Sequence, residues 1–528
     1  MRSRVRVSLA VFAAAAAGLA ACSTPGATPT TSSSSGATGG TINVALASDP
    51  GTIDPSLANT FDSRIVFQAF CQKLYDANNA LQPVPQLASA LPKTSADGLT
   101  VTIPLRTGVK FNDGTPFNAD AVKTSLERDL TLSGSARAKE IAAVKSVAAP
   151  NPTTVVITLS RPFSPLVAQL TDRAGLIMSP AALKKEGDKF GDNPVCVGPF
   201  KYSSRVSGTS LSFVKSSDYY DASKVKVDGV TYKIISDPTT RAENLQSGDV
   251  QAAEQLDPTD IPRLKSDSSL KITPVSAPSY EGITINVSNA HGDTSPAGPV
   301  NTALSKSPQL RQAFELALDR KTLNKVVWNN AQSVDCLPLP LQMVYRPDSA
   351  NCTPYDPAQA KQLVAASGVK MPVPVTMMIP ADSGDDRMAQ VIQSMENKVG
   401  FNMTIKPVDF TSALAAGKAG SFDTFLIGWS GRLDPDGDLS DIVTTDGSND
   451  YSGLQNPQLD KDIQQAAAAS GVPARKAAYT TTLQLLGQLR PIIYLYHDTW
   501  FLGTSAKLTG VDYRADGIPR FTAASLNG

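Results

Sequence analysis

The sequence predicts a two-lobed α/β fold, on three observations. At 528 residues the chain exceeds what one hydrophobic core usually supports. Its first half reads as β-rich and its second as strands alternating with helices. Residues 373–427, finally, read as a βαβαβ unit, hence a parallel sheet covered by helices. In that unit residues 373–379, 403–408 and 422–427 are strands. Residues 385–399 form a helix with Gly400 just past its end, and residues 411–416 a shorter one.

The last of these strands leads into the most informative loop. Phe425, Leu426 and Ile427 form an apolar run of the kind buried on both faces of a sheet. The chain then breaks at Gly428 into Trp429, Ser430, Gly431, Arg432 and Asp434. Open α/β sheets bind ligands outside the carboxyl ends of their strands. An indole, a guanidinium and a carboxylate at such an end suit a ligand with both apolar and charged parts.

From the N-terminus, Arg2, Arg4 and Arg6 precede an apolar run over residues 7–17, too short to span a bilayer. It ends in Leu19-Ala20-Ala21-Cys22, small residues before a cysteine in the manner of a bacterial lipobox. Residues 1–21 are therefore expected to be a lipoprotein signal peptide, with Cys22 lipidated and anchored to the cell membrane. A plain secretory signal with an incidental cysteine is the alternative. Residues 23–40 are almost entirely Ser, Thr, Gly, Ala and Pro and read as a flexible tether reaching roughly 25 Å.

Further along, residues 41–46 read as a strand and Asp62 as the cap of a helix through Phe70. Val101, Ile103 and Leu105 alternate as a strand, and Asn118 caps a helix through Leu130. Val155, Ile157 and Leu159 alternate again. Strands from Lys201 and over residues 211–214 and 230–235 complete the β-rich half. Ser307-Pro308, Asp356-Pro357, Asn456-Pro457 and Pro473 each open a helix, with proline in the first turn. Crossings between lobes near 283–287 and 490–497 would make a hinged clamp.

Lys+Arg and Asp+Glu both number 48, and no basic patch interleaved with aromatics points to nucleic acid. Beyond Cys22 four cysteines remain, and outside the cytoplasm an even count favours disulfides. Cys336 and Cys352 bracket a proline-rich loop and are expected to pair locally, leaving Cys71 with Cys196, one of three connectivities open to four cysteines. A zinc site is the sharper alternative, but the chain has no CxxC and only His291 and His497. Neither a metal nor a cofactor is expected. The run Asp434, Asp436, Asp438, Asp441 lacks the glycine and terminal glutamate of a calcium loop.

Several stretches together resemble the extracellular solute-binding proteins of the dipeptide/oligopeptide/nickel family (family 5), the lipid-tethered receptors of ABC importers. LRTGVKFNDGTPFNADAV is similar to that family's signature segment. CVGPFKY, LRQAFELALDRKTLNKVV, YDPAQAKQLVAASG and FDTFLIGWSGRLDPDGDL match later blocks in order. The resemblance covers nearly all of residues 41–528. It implies a periplasmic-binding-protein-like clamp (type II) with an extra β-rich subdomain in the first lobe. The expected organisation is a first lobe over 41–284 with the subdomain at about 86–190, a second lobe over 285–494, and a return over 495–528. The implied partners are a short peptide-like solute and the permease and ATPase subunits, with the receptor itself a monomer.

One departure matters. Family members that grip a peptide's ammonium group resemble W-x-x-D, where this chain has Trp429-Ser430-Gly431-Arg432. Arginine there would repel an ammonium and favour a carboxylate. Asp434 would then serve the cation or hold Arg432 in place. The candidate ligand set is Trp429, Ser430, Gly431, Arg432 and Asp434, with Tyr280 and Asn286 flanking the first crossing. Each has a bland counterpart: Trp429 as a core aromatic, Arg432 as a charge paired with Asp434 or Asp436. Arg106 and Asp113 read as fold-stabilising and His497 as a packed histidine near the hinge. Other functions are an envelope binding or signalling lipoprotein without transport, or a secreted hydrolase. The latter lacks a GxSxG elbow and would have to rely on His291 or His497.

Overall fold

The computed structural model describes residues 39–292, 297–381 and 383–527. The signal segment, Cys22 and nearly all of the tether lie outside the described residues. Two large sheets carry the fold. In the first, Thr41–Leu46 is central, parallel to Gly229–Ile234 on one side and to Ala252–Ala253 on the other. Ser210–Lys215 and Phe200–Val206 extend one flank antiparallel, and Thr499–Ser505 followed by Leu270–Ser276 the other. Ile42, Val44, Ala45 and Leu46 are all fully buried, as a central strand requires.

The second sheet runs Ser333–Val334, Ile492–His497, Glu281–Ile285, Thr424–Leu426, Val373–Pro380, Phe401–Val408. Val373–Pro380 is parallel to both Phe401–Val408 and Thr424–Leu426, with the helices Ser383–Val399 and Phe410–Lys418 as crossovers. This is the expected βαβαβ unit. A third, antiparallel sheet in the order Lys93–Thr94, Thr100–Pro104, Thr154–Leu159, Val144–Asn151 packs on the helix Ala119–Thr131 around its own core. The whole is a two-lobed α/β architecture with a β-rich subdomain in the first half of the chain.

Helix starts follow local cap chemistry. Asn118, Ser307, Asp356 and Asn456 each accept a backbone N–H of the first turn. Asp62 does not cap as expected. The helix Phe61–Phe70 begins two residues earlier than an Asp62 cap would place it, and Thr60 takes the N–H of Ser63 at 3.2 Å. Asp62, inside the first turn, instead accepts the backbone N–H and hydroxyl of Ser48 at 3.1 and 2.6 Å.

Both disulfides form as paired above: Cys71–Cys196 closes 125 residues of chain and Cys336–Cys352 closes 16. Arg106 stacks on Tyr220 and Asp113 accepts from Ser179 and Thr115, so both brace the fold.

The chain leaves the first sheet after Ser276 and enters the second at Glu281, and returns between His497 and Thr499. These crossings lie a few residues from 283–287 and 490–497, because Glu281–Ile285 and Ile492–His497 pair with each other inside the second sheet. They run side by side: Ala277 N–H donates to the Asp498 carbonyl at 2.9 Å and Ser279 Oγ to the Asp498 carboxylate at 2.6 Å. Buried His497 sits against them, with Nδ1 2.6 Å from the Ser279 carbonyl oxygen and Nε2 3.3 Å from Asp335.

Candidate functional site

The loop after Thr424–Leu426 continues the sheet for one more residue. Trp429 and Tyr280 exchange backbone hydrogen bonds of 3.0 and 2.8 Å, so the indole is mounted on the second sheet beside a crossing. Two glycines make the approach possible. A Cβ on Gly428 would lie 2.7 Å from the Tyr280 carbonyl oxygen, and one on Gly431 2.2 Å from that of Pro278, where φ is also +73°.

Buried Asp438 locks the loop from below. One carboxylate oxygen accepts the Trp429 indole N–H at 3.0 Å and the Arg432 backbone N–H at 2.8 Å. Burial pushes the Asp438 carboxyl well above the carboxylate range, against the pull of Arg432. The Arg432 guanidinium lies 4.2 Å from the centre of the Trp429 ring, and its Nε is 3.3 Å from Asp172 in the first half of the chain.

Two cavities adjoin this loop. The smaller, about 140 Å³, has Asn59, Thr60 and Phe61 on one side and Tyr280, Trp429 and Ser430 on the other. The larger, about 440 Å³, is walled by Glu140, Arg161 and Gln169 and by Arg432, Asp436 and Ser440. Its volume falls in the range of small-molecule sites, whereas the smaller cavity falls below it.

The structure thus brings Trp429, Ser430 and Tyr280 to one cavity and Arg432 to the other. Asp434 and Asn286 face neither. Both Asp434 oxygens are held by Arg475, at 2.6 and 2.7 Å, and its carboxylate caps the helix Pro435–Val443. It anchors the loop and lines neither cavity. Asn286, fully buried, donates to the carbonyls of Asn289, Gly420 and Phe422. It fastens neighbouring turns, because three converging carbonyls use up its amide. Gly431 contributes close passage over Pro278 and a carbonyl that accepts from Arg432. The other acids of the run diverge: Asp436 meets Ser440, and Asp441 meets Ser448 and Asn449.

Sequence reasoning missed Asn59–Phe61, Glu140 and Asp172. They reach the loop from more than 250 residues away, and no local pattern marks them. Asp436 stood within the flagged acidic run, and the burial of its side chain was the missing signal.

Residues 82–450 match the family described as bacterial extracellular solute-binding proteins, family 5 (middle). The chain belongs to that family. Among similar proteins, the glutathione-binding protein GsiB of Pectobacterium atrosepticum is 29% identical over 501 residues, covering 92% of this chain and 93% of that one. The fold is shared with the periplasmic binding protein DppA of Helicobacter pylori, solved with the peptide STSA, at a TM-score of 0.83 and 20% identity over 93% of this chain and 99% of that one. It is also shared with AgaA of A. tumefaciens R10, solved with agropinic acid, at a TM-score of 0.81 and 24% identity over 93% and 99% of the two chains.

Proposed function

We propose that this protein is the solute-capturing receptor of an ABC importer, closing two lobes on a short peptide-like solute and presenting it to a permease. It acts as a monomer without turnover, tethered outside the cytoplasm by lipidated Cys22. The observation that carries the reading is the 440 Å³ cavity, with Glu140 and Gln169 on one wall and Arg432 and Asp436 on the other. Trp429 offers an aromatic face, Ser430 and Tyr280 flank it, and Arg432 supplies charge for a carboxylate. Asp434, Gly431 and Asn286 hold this arrangement in place.

Glutathione, bound by the GsiB relatives, is the first solute to try. Micromolar capture corresponds to about −8 kcal/mol, within reach of a few charge-assisted bonds and one desolvated aromatic contact. Titration calorimetry against glutathione and a set of di- and tripeptides tests it. Saturable one-to-one binding with the solute recovered intact supports the receptor; recovery of cleaved products would speak for a hydrolase.

A further inference from the structure

Four arginines converge where the first half of the chain meets the Trp429 loop: Arg64, Arg137, Arg173 and Arg432, none more than 6% exposed. Among the described residues, the carboxylates paired with them are those of Asp172 and Glu140. Asp172 lies 3.1 Å from Arg64 Nε, 3.3 Å from Arg432 Nε and 3.7 Å from Arg173 Nε, while Glu140 lies 2.5 Å from Arg137 Nη1. Nearby acids do not make up the difference. Burial raises the Asp129 carboxyl to about 8 and the Asp438 carboxyl well above the carboxylate range, and Asp438 is already engaged by the Trp429 indole and the Arg432 backbone. Asp516 is 2.7 Å from Arg520 and Asp54 is 2.7 Å from Arg128. Four buried guanidiniums thus share two paired carboxylates.

The surplus has physical signs. Burial and the neighbouring guanidiniums press the Arg173 pKa well below the arginine range, and burial lowers Arg64 as well. Arg64 Nη1, Arg137 Nε and Arg173 Nε find no protein acceptor. Buried donors and charges without partners are costly. Such a cluster destabilises the protein alone and is relieved when an anion arrives.

The cluster also lies in the right place. Arg173 donates to the carbonyl of Thr60 at 3.1 Å, and Arg64 sits 5.7 Å from the ring of Phe61, two residues that wall the smaller cavity. Arg432 and Glu140 wall the larger. Arg432 therefore borders the larger cavity directly, while Arg64 and Arg173 stand behind the Thr60–Phe61 wall of the smaller one. Across the larger cavity Asp436, 5% exposed, presents a carboxyl bonded at its side chain to Ser440.

We propose that the captured solute is a peptidic acid with more carboxylates than ammonium groups, and that Arg64, Arg137, Arg173 and Arg432 neutralise its anionic end. This rests on the receptor reading and names its solute class.

The test is equilibrium dialysis of the mature protein at pH 7 and physiological salt against a mixture of tripeptides. The mixture contains glutathione, acidic α-linked tripeptides, the C-terminal amides of each, trialanine and a lysine-bearing tripeptide, and the retained species are read by mass spectrometry. Acids should be retained at least tenfold over their amides, and Arg64→Gln and Arg173→Gln should each lose that preference. Retention of neutral or cationic peptides as strongly as acids overturns the proposal, as does an undiminished preference in both variants. If the parent protein retains no peptide of any charge, the receptor reading fails. Melting of the two variants without solute then decides on the buried charge: a higher melting temperature than the parent supports a surplus, a lower one in both overturns it.

Discussion

At the residue scale, the loop that carries Trp429 depends on groups that line neither cavity. Arg475 and Asp434 form a bidentate pair with both side chains nearly sealed from water. Removing one partner of a buried pair strands the other, at a typical cost of about 3–5 kcal/mol. Arg475→Met should therefore lower unfolding free energy by that amount in urea titration and loosen solute binding with it. Gly431→Ala should be nearly as damaging, since its Cβ would collide with the Pro278 carbonyl and its φ is left-handed. Arg432→Ala acts on the solute itself: an acidic solute should bind more weakly by about 1–3 kcal/mol in calorimetry. Trp429 and Arg432 were legible because their chemistry is concentrated after one buried strand. Arg64, Asp172 and Arg173 were not, because two stretches more than 100 residues apart, the helix Phe61–Phe70 and the turn at Asp172–Arg173, bring them together and neither carries a local signature.

Elements show the same division. Ser307, Asp356 and Asn456 were readable as helix starts because a cap and the proline beside it act within one turn. Thr60 and Asp62 are both good caps two residues apart, and Ser48, fourteen residues away from Asp62, decides between them by taking its carboxylate. The crossings were displaced for a related reason. Ile492–His497 reads as apolar in either sheet, and only its pairing with Glu281–Ile285 fixes where the chain turns back. The Cys71–Cys196 bridge ties the helix Phe61–Phe70, next to the Thr60–Phe61 wall, to the loop around Cys196. Replacing both cysteines by serine should cost about 2–5 kcal/mol, measured as a fall in the denaturation midpoint under non-reducing conditions.

At the scale of the whole molecule, buried acids set the response to pH. Burial raises Asp129 to about 8 and Asp436 and Asp450 to about 7, from 3.8 when exposed. The folded protein then holds protons that the unfolded chain releases. Stability from these groups is complete below about pH 4 and is lost as pH climbs through 7 to 8. Asp335, held near 2 by His497 and Arg346, adds stability that is already complete above 4. Melting temperature should accordingly be higher at pH 5.5 than at pH 8.5, and Asp129→Asn should flatten the difference.

The central claim is that a solute lies between the two halves of the chain with the indole of Trp429 and the guanidinium of Arg432 closed in beside it. A crystal structure of the protein with the solute it retains on purification tests this most directly. The account predicts that solute in contact with Arg432 or Trp429 on one side and with residues from 59–61 or 140–173 on the other. A solute seated elsewhere, or those two side chains turned outward away from the groove between the sheets, would contradict it.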